Sequence, residues 1–373
     1  MNDTKPRAVA VGGTGKTKRI VIGSDSPVSI QTMWKEGIVP VLTDKQALFS
    51  LLDKIEALQS IGCSILRFAV PDMESADALC RIAEQSTMPL VADIHFDRRL
   101  ALRCLKGNVA KIRINPGNIG SKERVKEVVD ACKAGGRAIR IGVNAGSFPK
   151  DIAERVQSGT MSRSEGLSQT ALREAEVFDD LGFDQYVVSL KASTIHETIE
   201  ANERFYKSRP DIPLHIGVTE AGPLIGGIVK STLAFSHLLK ENIGSTIRVS
   251  LSSDAEDEVI AAREILCACG LYKGGINIVS CPRCGRNGFD VHGFVKRWQH
   301  KLLAMDKNIT VAVMGCAVNG PGEGKHADIG ITGAGDSVVI FKKGKPVRTI
   351  RSDDINILTE NADIAFSEEL KSL

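Results

Sequence analysis

Four residues near the C-terminus have the types and spacing of a soft-metal centre. They are Cys281 and Cys284 in C-P-R-C, then Cys316 and Glu323 in G-C-A-V-N-G-P-G-E. Three thiolates suit iron–sulfur or zinc, and three is one short of the four that usually close such a site. A centre held by three cysteines leaves one metal corner for chemistry, which points to a redox enzyme. The glycines around Cys316 let backbone pass close to a bulky inorganic group. A carboxylate seven residues on is a hard, exchangeable ligand for iron, although Glu323 also reads as an ordinary surface carboxylate. Structural zinc is the rival, with His292, His300, His326 or Glu323 as fourth ligand, but no second CxxC or paired histidine motif accompanies it. A thioredoxin-like redox pair would leave Cys316 unexplained.

A second constellation is spread through the first three-quarters of the chain. Polar residues fall at the C-terminal ends of β-rich runs: Gln31, Arg67, Asp93 with His95, Arg113 with Asn115, Arg140 with Asn144, Lys191, Glu220 and Ser252. One charged strand end is ordinarily a salt-bridge partner. Four cations at four strand mouths, Arg67, Arg113, Arg140 and Lys191, instead call for a multiply charged anion, and guanidinium forks match phosphate oxygens. Asn144 and Ser252 are further candidates for substrate contact. Glu220 either pairs with an arginine or handles a proton on a substrate hydroxyl. His95 is either a satisfied mouth histidine or a donor to substrate.

The elements that must position these groups repeat as strand then helix. The runs are Val28–Met33, Ser64–Ala69, Leu90–His95, Ala110–Asn115, Ala138–Val143, Gln185–Leu190, Leu214–Thr219 and Thr246–Leu251. Stretches with apolar residues every three or four positions follow them, such as Lys45–Ile61, Ser75–Ser86, Lys122–Ala134, Arg163–Leu181 and Ala255–Cys269. Eight such units predict a (β/α)8 TIM-type barrel over residues 1–272, with Arg19–Ile22 as a small extra strand at its base. After the glycine-rich Lys273-Gly274-Gly275 the pattern changes. Strand-like Ile276–Val279 and Thr310–Val313 each run into a cysteine segment, and a helix is expected near Asp290–Met305. Short strands near Asp328–Thr332, Ser337–Phe341 and Val347–Ile350 complete a small α+β domain, 273–373.

Composition narrows the classes. A chain of 373 residues with 25% charged residues and a net charge of +3 is an ordinary globular protein, not a nucleic-acid binder. The N-terminus lacks the apolar core of a signal peptide and no long uncharged apolar run occurs, so the chain reads as cytoplasmic and without a membrane partner. Nine cysteines, an odd number, read as reduced thiols. Cys63, Cys80, Cys104, Cys132, Cys267 and Cys269 are expected to be small buried hydrophobes. Gly12-Gly13-Thr14-Gly15-Lys16-Thr17 suggests a phosphate-binding loop, but position 10, where that motif needs glycine, is Ala10.

The chain closely resembles the 4-hydroxy-3-methylbut-2-enyl diphosphate synthases, iron–sulfur enzymes of the methylerythritol phosphate route to isoprenoids. The likeness runs through V-P-D-M-E-S-A, V-A-D-I-H-F, K-I-R-I-N-P-G-N, I-R-I-G-V-N-A-G-S, S-L-K-A-S, H-I-G-V-T-E-A-G, C-P-R-C-G-R and G-C-A-V-N-G-P-G-E. The resemblance implies reductive ring opening of 2-C-methyl-D-erythritol 2,4-cyclodiphosphate to (E)-4-hydroxy-3-methylbut-2-enyl diphosphate. It further implies single electrons from flavodoxin or ferredoxin, and loss of water. By that similarity Cys281, Cys284, Cys316 and Glu323 hold a [4Fe–4S] cluster, Glu323 being exchangeable, and the chain acts as a homodimer whose cluster domain covers its partner's barrel mouth. The chain departs from the common Q-S-M-T-N-T with Gln31-Thr32-Met33-Trp34-Lys35-Glu36-Gly37, and from S-L-A-x-D with S-L-S-S-D. The alternatives are a non-catalytic iron–sulfur redox sensor binding a phosphorylated ligand, and a barrel hydrolase or aldolase with structural zinc.

Overall fold

The computed structural model describes residues 5–146, 148–272, 275–282, 284–285, 288–316, 320, 322, 324–334 and 336–373. The chain divides into two compact units, Met1–Tyr272 and Lys273–Leu373.

The first unit opens with a short antiparallel hairpin, β1 (Val9–Val11) and β2 (Ile20–Ile22). Eight strands alternating with helices follow: β3 (Ser29–Met33), β4 (Ile65–Ala69), β5 (Leu90–Asp93), β6 (Lys111–Ile114), β7 (Ala138–Asn144), β8 (Tyr186–Lys191), β9 (His215–Ile216) and β10 (Thr246–Ile247). They pair in parallel in the order β8-β7-β6-β5-β4-β3-β10-β9. A bridge between Val188 on β8 and Leu214, beside β9, joins the ends of the row into a nearly closed (β/α)8 barrel. Helices Lys45–Ser60, Met73–Ala83 and Arg163–Asp180 start on Asp44, Asp72 and Ser162, whose side chains accept the N–H groups of Gln46, Ser75 and Glu165. Each such cap contributes about 1 kcal/mol.

The barrel's polarity follows from the two-residue alternation of its strands. One set of positions, including Leu66, Phe68, Ala92, Ile112, Ile141 and Leu190, is apolar and buried. The alternate set changes character along each strand, from Ile65 to Arg67, Val91 to Asp93, Ala138 to Arg140, and Val187 through Ser189 to Lys191. Ile65, Val91, Ala138 and Val187 form one cluster with Val9, Val11 and Ile22 of the hairpin. The hairpin therefore stoppers the base, and each of its fully buried aliphatics contributes roughly 1.5–3 kcal/mol. The glycines that suggested a phosphate loop make the turn of this hairpin, with Gly12 and Gly13 at φ 86° and 88°. They lie at the end of the barrel opposite the charged residues.

The second unit is a five-stranded sheet in the order β11 (Ile276–Ser280), β12 (Ile309–Met314), β13 (Ile329–Ala334), β14 (Ser337–Lys342) and β15 (Lys345–Arg351). The first three strands are mutually parallel, and β14 and β15 extend the sheet antiparallel. Helices Val291–Leu303 and Ile355–Lys371 bury Phe294, Trp298 and Phe366 in one core with Val311, Val313, Ile331 and Ile340. The helix Ile355–Lys371 is not among the elements expected from the sequence. Cys63, Cys80, Cys104 and Cys132 are buried, but Cys269 is half-buried and Cys267 exposed, which corrects the expectation for those two. No helix among the described residues is long and apolar enough to cross a membrane.

Candidate active site and metal centre

At the C-terminal ends of the barrel strands lies a cavity of about 320 Å³ lined by Met33, Arg67, Asp93, His95, Arg113, Arg140, Asn144, Ser189, Lys191, Thr219, Glu220, Arg248 and Ser250. Sheet register builds its wall. Asp93 sits beside Arg113, Arg113 beside Arg140, and Asn144 beside Lys191 on neighbouring strands. Two glycines make room for cations on the adjacent strand. A Cβ at Gly142 would lie 2.5 Å from Arg113 Nε, and one at Gly217 would lie 2.7 Å from Lys191 Nζ.

Five cations, Arg67, Arg113, Arg140, Lys191 and Arg248, line this cavity against two carboxylates, Asp93 and Glu220, a formal excess of three positive charges. Asp93 accepts from Arg113 at 3.0 Å and lies 3.6 Å from Arg67 Nε. Burial alone would raise its carboxyl, but Arg67, the nearby His95 ring, Arg113 and Arg140 outweigh that and hold it well below the ordinary carboxylate range. Burial, with the neighbouring Arg248 and Arg113 acting the same way against Asp93, pushes Arg67 down to about 10. Lys191 is driven well below the usual lysine range by burial and then by Arg140, Arg67, Arg248 and Arg113. Arg140 is 1% exposed, and its Nε and Nη1 have no hydrogen-bond partner. Buried donors left unsatisfied at a concave, cation-rich wall mark a place where an anion supplies the missing acceptors.

Of the residues proposed from sequence, the structure gathers Arg67, Arg113, Arg140, Asn144, Lys191 and Glu220 around this one cavity. Ser252 is not there. It is exposed, its N–H donates to the Gly222 carbonyl at 3.1 Å, and Ser250 lines the cavity in its stead. The physical reason is that β10 keeps regular pairing only to Ile247, so the chain has turned away before residue 252. Arg248 was missed, although the alternation Thr246, Arg248, Ser250 in T-I-R-V-S was a readable signal. His95 is both wall and partner, 3.1 Å from Arg113 Nη1 and 3.7 Å from Asp93. Glu220 is exposed and holds a left-handed φ of 53°. A branched-off carboxylate in that conformation is strained by roughly 1–2 kcal/mol and tends to persist where function needs it.

In the second unit, Cys281 follows β11 directly and Cys316 stands two residues beyond β12. These strands are parallel neighbours with Ser280 opposite Val313, so both cysteines follow the C-terminal ends of adjacent strands. The two cysteine segments are tied together. Gly288 N–H donates to the Gly315 carbonyl at 2.7 Å, and Gly315 N–H donates to Cys281 Sγ at 3.0 Å. An N–H aimed at a ligand sulfur tunes the potential of a bound cluster. Cys284 is exposed and Cys316 is buried. Among the described residues no three His, Cys, Asp or Glu side chains gather closely enough for one metal ion. A polynuclear cluster spreads its thiolates over separate irons, and the donor set fits such a group. Glu323 lies outside the described residues, as do positions 273 and 274 of the expected linker.

A family model described as the GcpE TIM-barrel domain matches residues 13–263, and one described as the GcpE protein C-terminal domain matches residues 277–362. The chain belongs to the GcpE family. Among relatives of this GcpE chain, a protein of Treponema denticola is 53% identical over 100% of both chains. One of Treponema pallidum is 56% identical over 99% of this chain and 92% of its own, and one of Geobacter sulfurreducens is 43% identical over 94% and 95%. All three are named 4-hydroxy-3-methylbut-2-en-1-yl diphosphate synthase (flavodoxin). A dihydropteroate synthase structure from Coxiella burnetii aligns over 68% of the chain and 94% of its own at 13% identity and a TM-score of 0.46, a likeness that carries no functional argument.

Proposed function

We propose that this chain is a 4-hydroxy-3-methylbut-2-enyl diphosphate synthase that opens 2-C-methyl-D-erythritol 2,4-cyclodiphosphate reductively at the barrel mouth. The observation that carries the reading is the buried, donor-rich wall in which Arg140 keeps two nitrogens without partners. Full-length kinship with proteins of that name supports it.

Each phosphorus of the cyclic substrate carries one ionised oxygen, so the ligand is a dianion. Two electrons and a proton convert it to a diphosphate trianion and water. The site must therefore bind two negative charges and tolerate a third, which suits a wall whose formal excess is three positive charges once the bound ligand has brought Lys191 to its protonated form. Arg67, Arg113, Arg140, Lys191 and Arg248 take the phosphate oxygens, with Arg140 offering Nε and Nη1. Asn144 and Ser250 contact the sugar-derived hydroxyls. Glu220, displayed on strained backbone at the rim, delivers a proton to the hydroxyl that leaves as water.

Cys281, Cys284, Cys316 and Glu323 would hold the iron–sulfur group, a [4Fe–4S] cluster. When bound, it supplies electrons one at a time and an iron to act as Lewis acid. Reduced flavodoxin or ferredoxin is the donor, and the chain works as a homodimer. The test is anaerobic purification, iron and sulfide analysis, and turnover of the cyclic diphosphate with reduced flavodoxin. A brown protein that forms the linear diphosphate is expected. A protein carrying the cluster but inert toward the cyclic diphosphate refutes the reading.

A further inference from the structure

Behind the wall, one buried carboxylate gathers groups from three places in the barrel. Glu258, in the first turn of the helix Ala255–Ala268, is 1% exposed. It accepts from Arg248 through Nε and Nη2, both at 3.1 Å. It also accepts from Thr32 Oγ1 at 2.6 Å and from the Leu251 N–H at 3.1 Å. Lys35 Nζ lies 3.1 Å from the same carboxylate and donates to the carbonyls of Leu251, at 2.8 Å, and Ser253. Lys35 belongs to the loop after β3, whereas all its partners belong to the loop after β10 and the helix that follows.

The charges matter as much as the tether. Burial would raise the Glu258 carboxyl, but Arg248, with hydrogen bonds from Arg248, Thr32 and Leu251, holds it low, so it is an anion. A buried carboxylate facing Arg248 alone would cancel that guanidinium, leaving little attraction for a ligand. Lys35 brings a second cation to the same oxygens, and the trio keeps one net positive charge. Arg248 lines the cavity and Lys35 does not, so Lys35 acts on a ligand without touching it, through its contacts with Glu258 and the β10 loop and through its charge.

We propose that Lys35 is a positioning residue for anion binding: it straps the β3 loop to the β10 loop through Glu258 and leaves the charge of Arg248 available to a phosphate. The proposal rests on the reading of the cavity as the cyclic diphosphate site, and the test separates the two. Calorimetry on the full chain measures binding of the cyclic diphosphate and of inorganic pyrophosphate to wild type, Lys35→Met and Lys35→Arg. Loss of one charge-assisted contact should weaken both ligands about tenfold in Lys35→Met, while Lys35→Arg, which keeps charge and reach, stays within about twofold. Rescue by arginine is a result that simple loss of packing does not give. If wild type binds pyrophosphate but not the cyclic ester, the proposed function falls and the strap is judged on pyrophosphate alone. Unchanged binding in Lys35→Met, equal loss in both variants, or no binding of either ligand by wild type overturns the strap.

Discussion

Asp93→Asn is the substitution whose outcome is most tightly constrained. The carboxylate sits 3.0 Å from Arg113 and 3.6 Å from Arg67, with all three side chains less than one-tenth exposed. Asparagine keeps the shape and one acceptor but removes the charge, leaving the guanidinium cluster uncompensated. Breaking a buried pair from one side costs about 3–5 kcal/mol. At about 2–4 °C per kcal/mol, the unfolding midpoint should fall by roughly 6–20 °C. The same loss has the opposite effect on ligand binding, because the formal excess rises from three to four. At an effective dielectric of about 20, a charge roughly 6 Å from the ligand is worth on the order of 3 kcal/mol. Inorganic pyrophosphate should therefore bind the variant at least about tenfold more tightly and stabilise it more than it stabilises wild type. Acid titration supplies an independent check. The folded-state pKa of Asp93 is depressed, so its contribution is present above the unfolded value of about 3.9 and is lost as pH falls below it. The gap between wild type and variant should begin to narrow below about pH 4 and go on narrowing as the pH falls further. Thermal melts with and without pyrophosphate decide the matter: a variant as stable as wild type, or one that gains less from the ligand, would show that Asp93 is not the counter-ion of this wall.

Other outcomes follow from single features. Lys191 is held below its usual range, and a bound dianion restores its affinity for a proton, so binding should take up protons and weaken as pH rises. Calorimetry in buffers of different ionisation enthalpy measures this, and zero uptake contradicts it. Glu220→Gly relieves the left-handed backbone and should stabilise the barrel by about 1 kcal/mol while lowering turnover at least about a hundredfold. Retained turnover would remove Glu220 from the chemistry. Cys284→Ser should lose bound iron and visible absorbance, with the barrel's thermal transition unmoved, as iron analysis and melts will show. His215 is fully buried and its affinity for a proton is depressed first by burial, then by Lys191, Arg140, Lys111 and Arg67. Its contribution is complete above the unfolded value of about 6.5 and declines as pH falls below it, so His215→Asn should flatten the stability profile between about pH 5 and 6.5.

Much of the barrel was legible because charged residues interrupt apolar runs at a period of two. Arg67 in I-L-R-F-A and Arg140 in A-I-R-I-G mark both a strand and the end that faces the cavity. The hairpin strand Val9–Val11 was not, being three residues long between a polar tail and glycines, with its partners far away in sequence. Arg248 was overlooked, and Ser252 proposed instead, because strand length at β10 is set by closure of the ring rather than by local propensity. The roles of Gly142 and Gly217 concern space left for a neighbour's side chain, which one strand alone does not disclose. The helix Ile355–Lys371 buries mainly Ala362, Ala365, Phe366 and Leu370, a thin apolar stripe among polar and β-branched residues that lower helix propensity. The cysteine spacing was plain, yet only the parallel pairing of β11 with β12 explains why residues 281 and 316 follow the same ends of adjacent strands.

The ring of staves is fastened unequally. From β4 through β8 each neighbour is zipped by a run of at least three paired residues, whereas β8 meets the far end of the row through the Val188–Leu214 bridge and, nearer the cavity, the Thr219 N–H donating to the Ala192 carbonyl at 2.9 Å. Lys191 stands on one bank of that seam and Glu220 on the other. Thermal breathing will concentrate there, and amide exchange should be faster along it than across the guanidinium-bearing staves. The protein thus ties the staves that carry its guanidinium groups most firmly, while the lysine and the proton-handling carboxylate flank the least-paired seam of the ring, beside a ligand whose shape and charge change as its own ring opens.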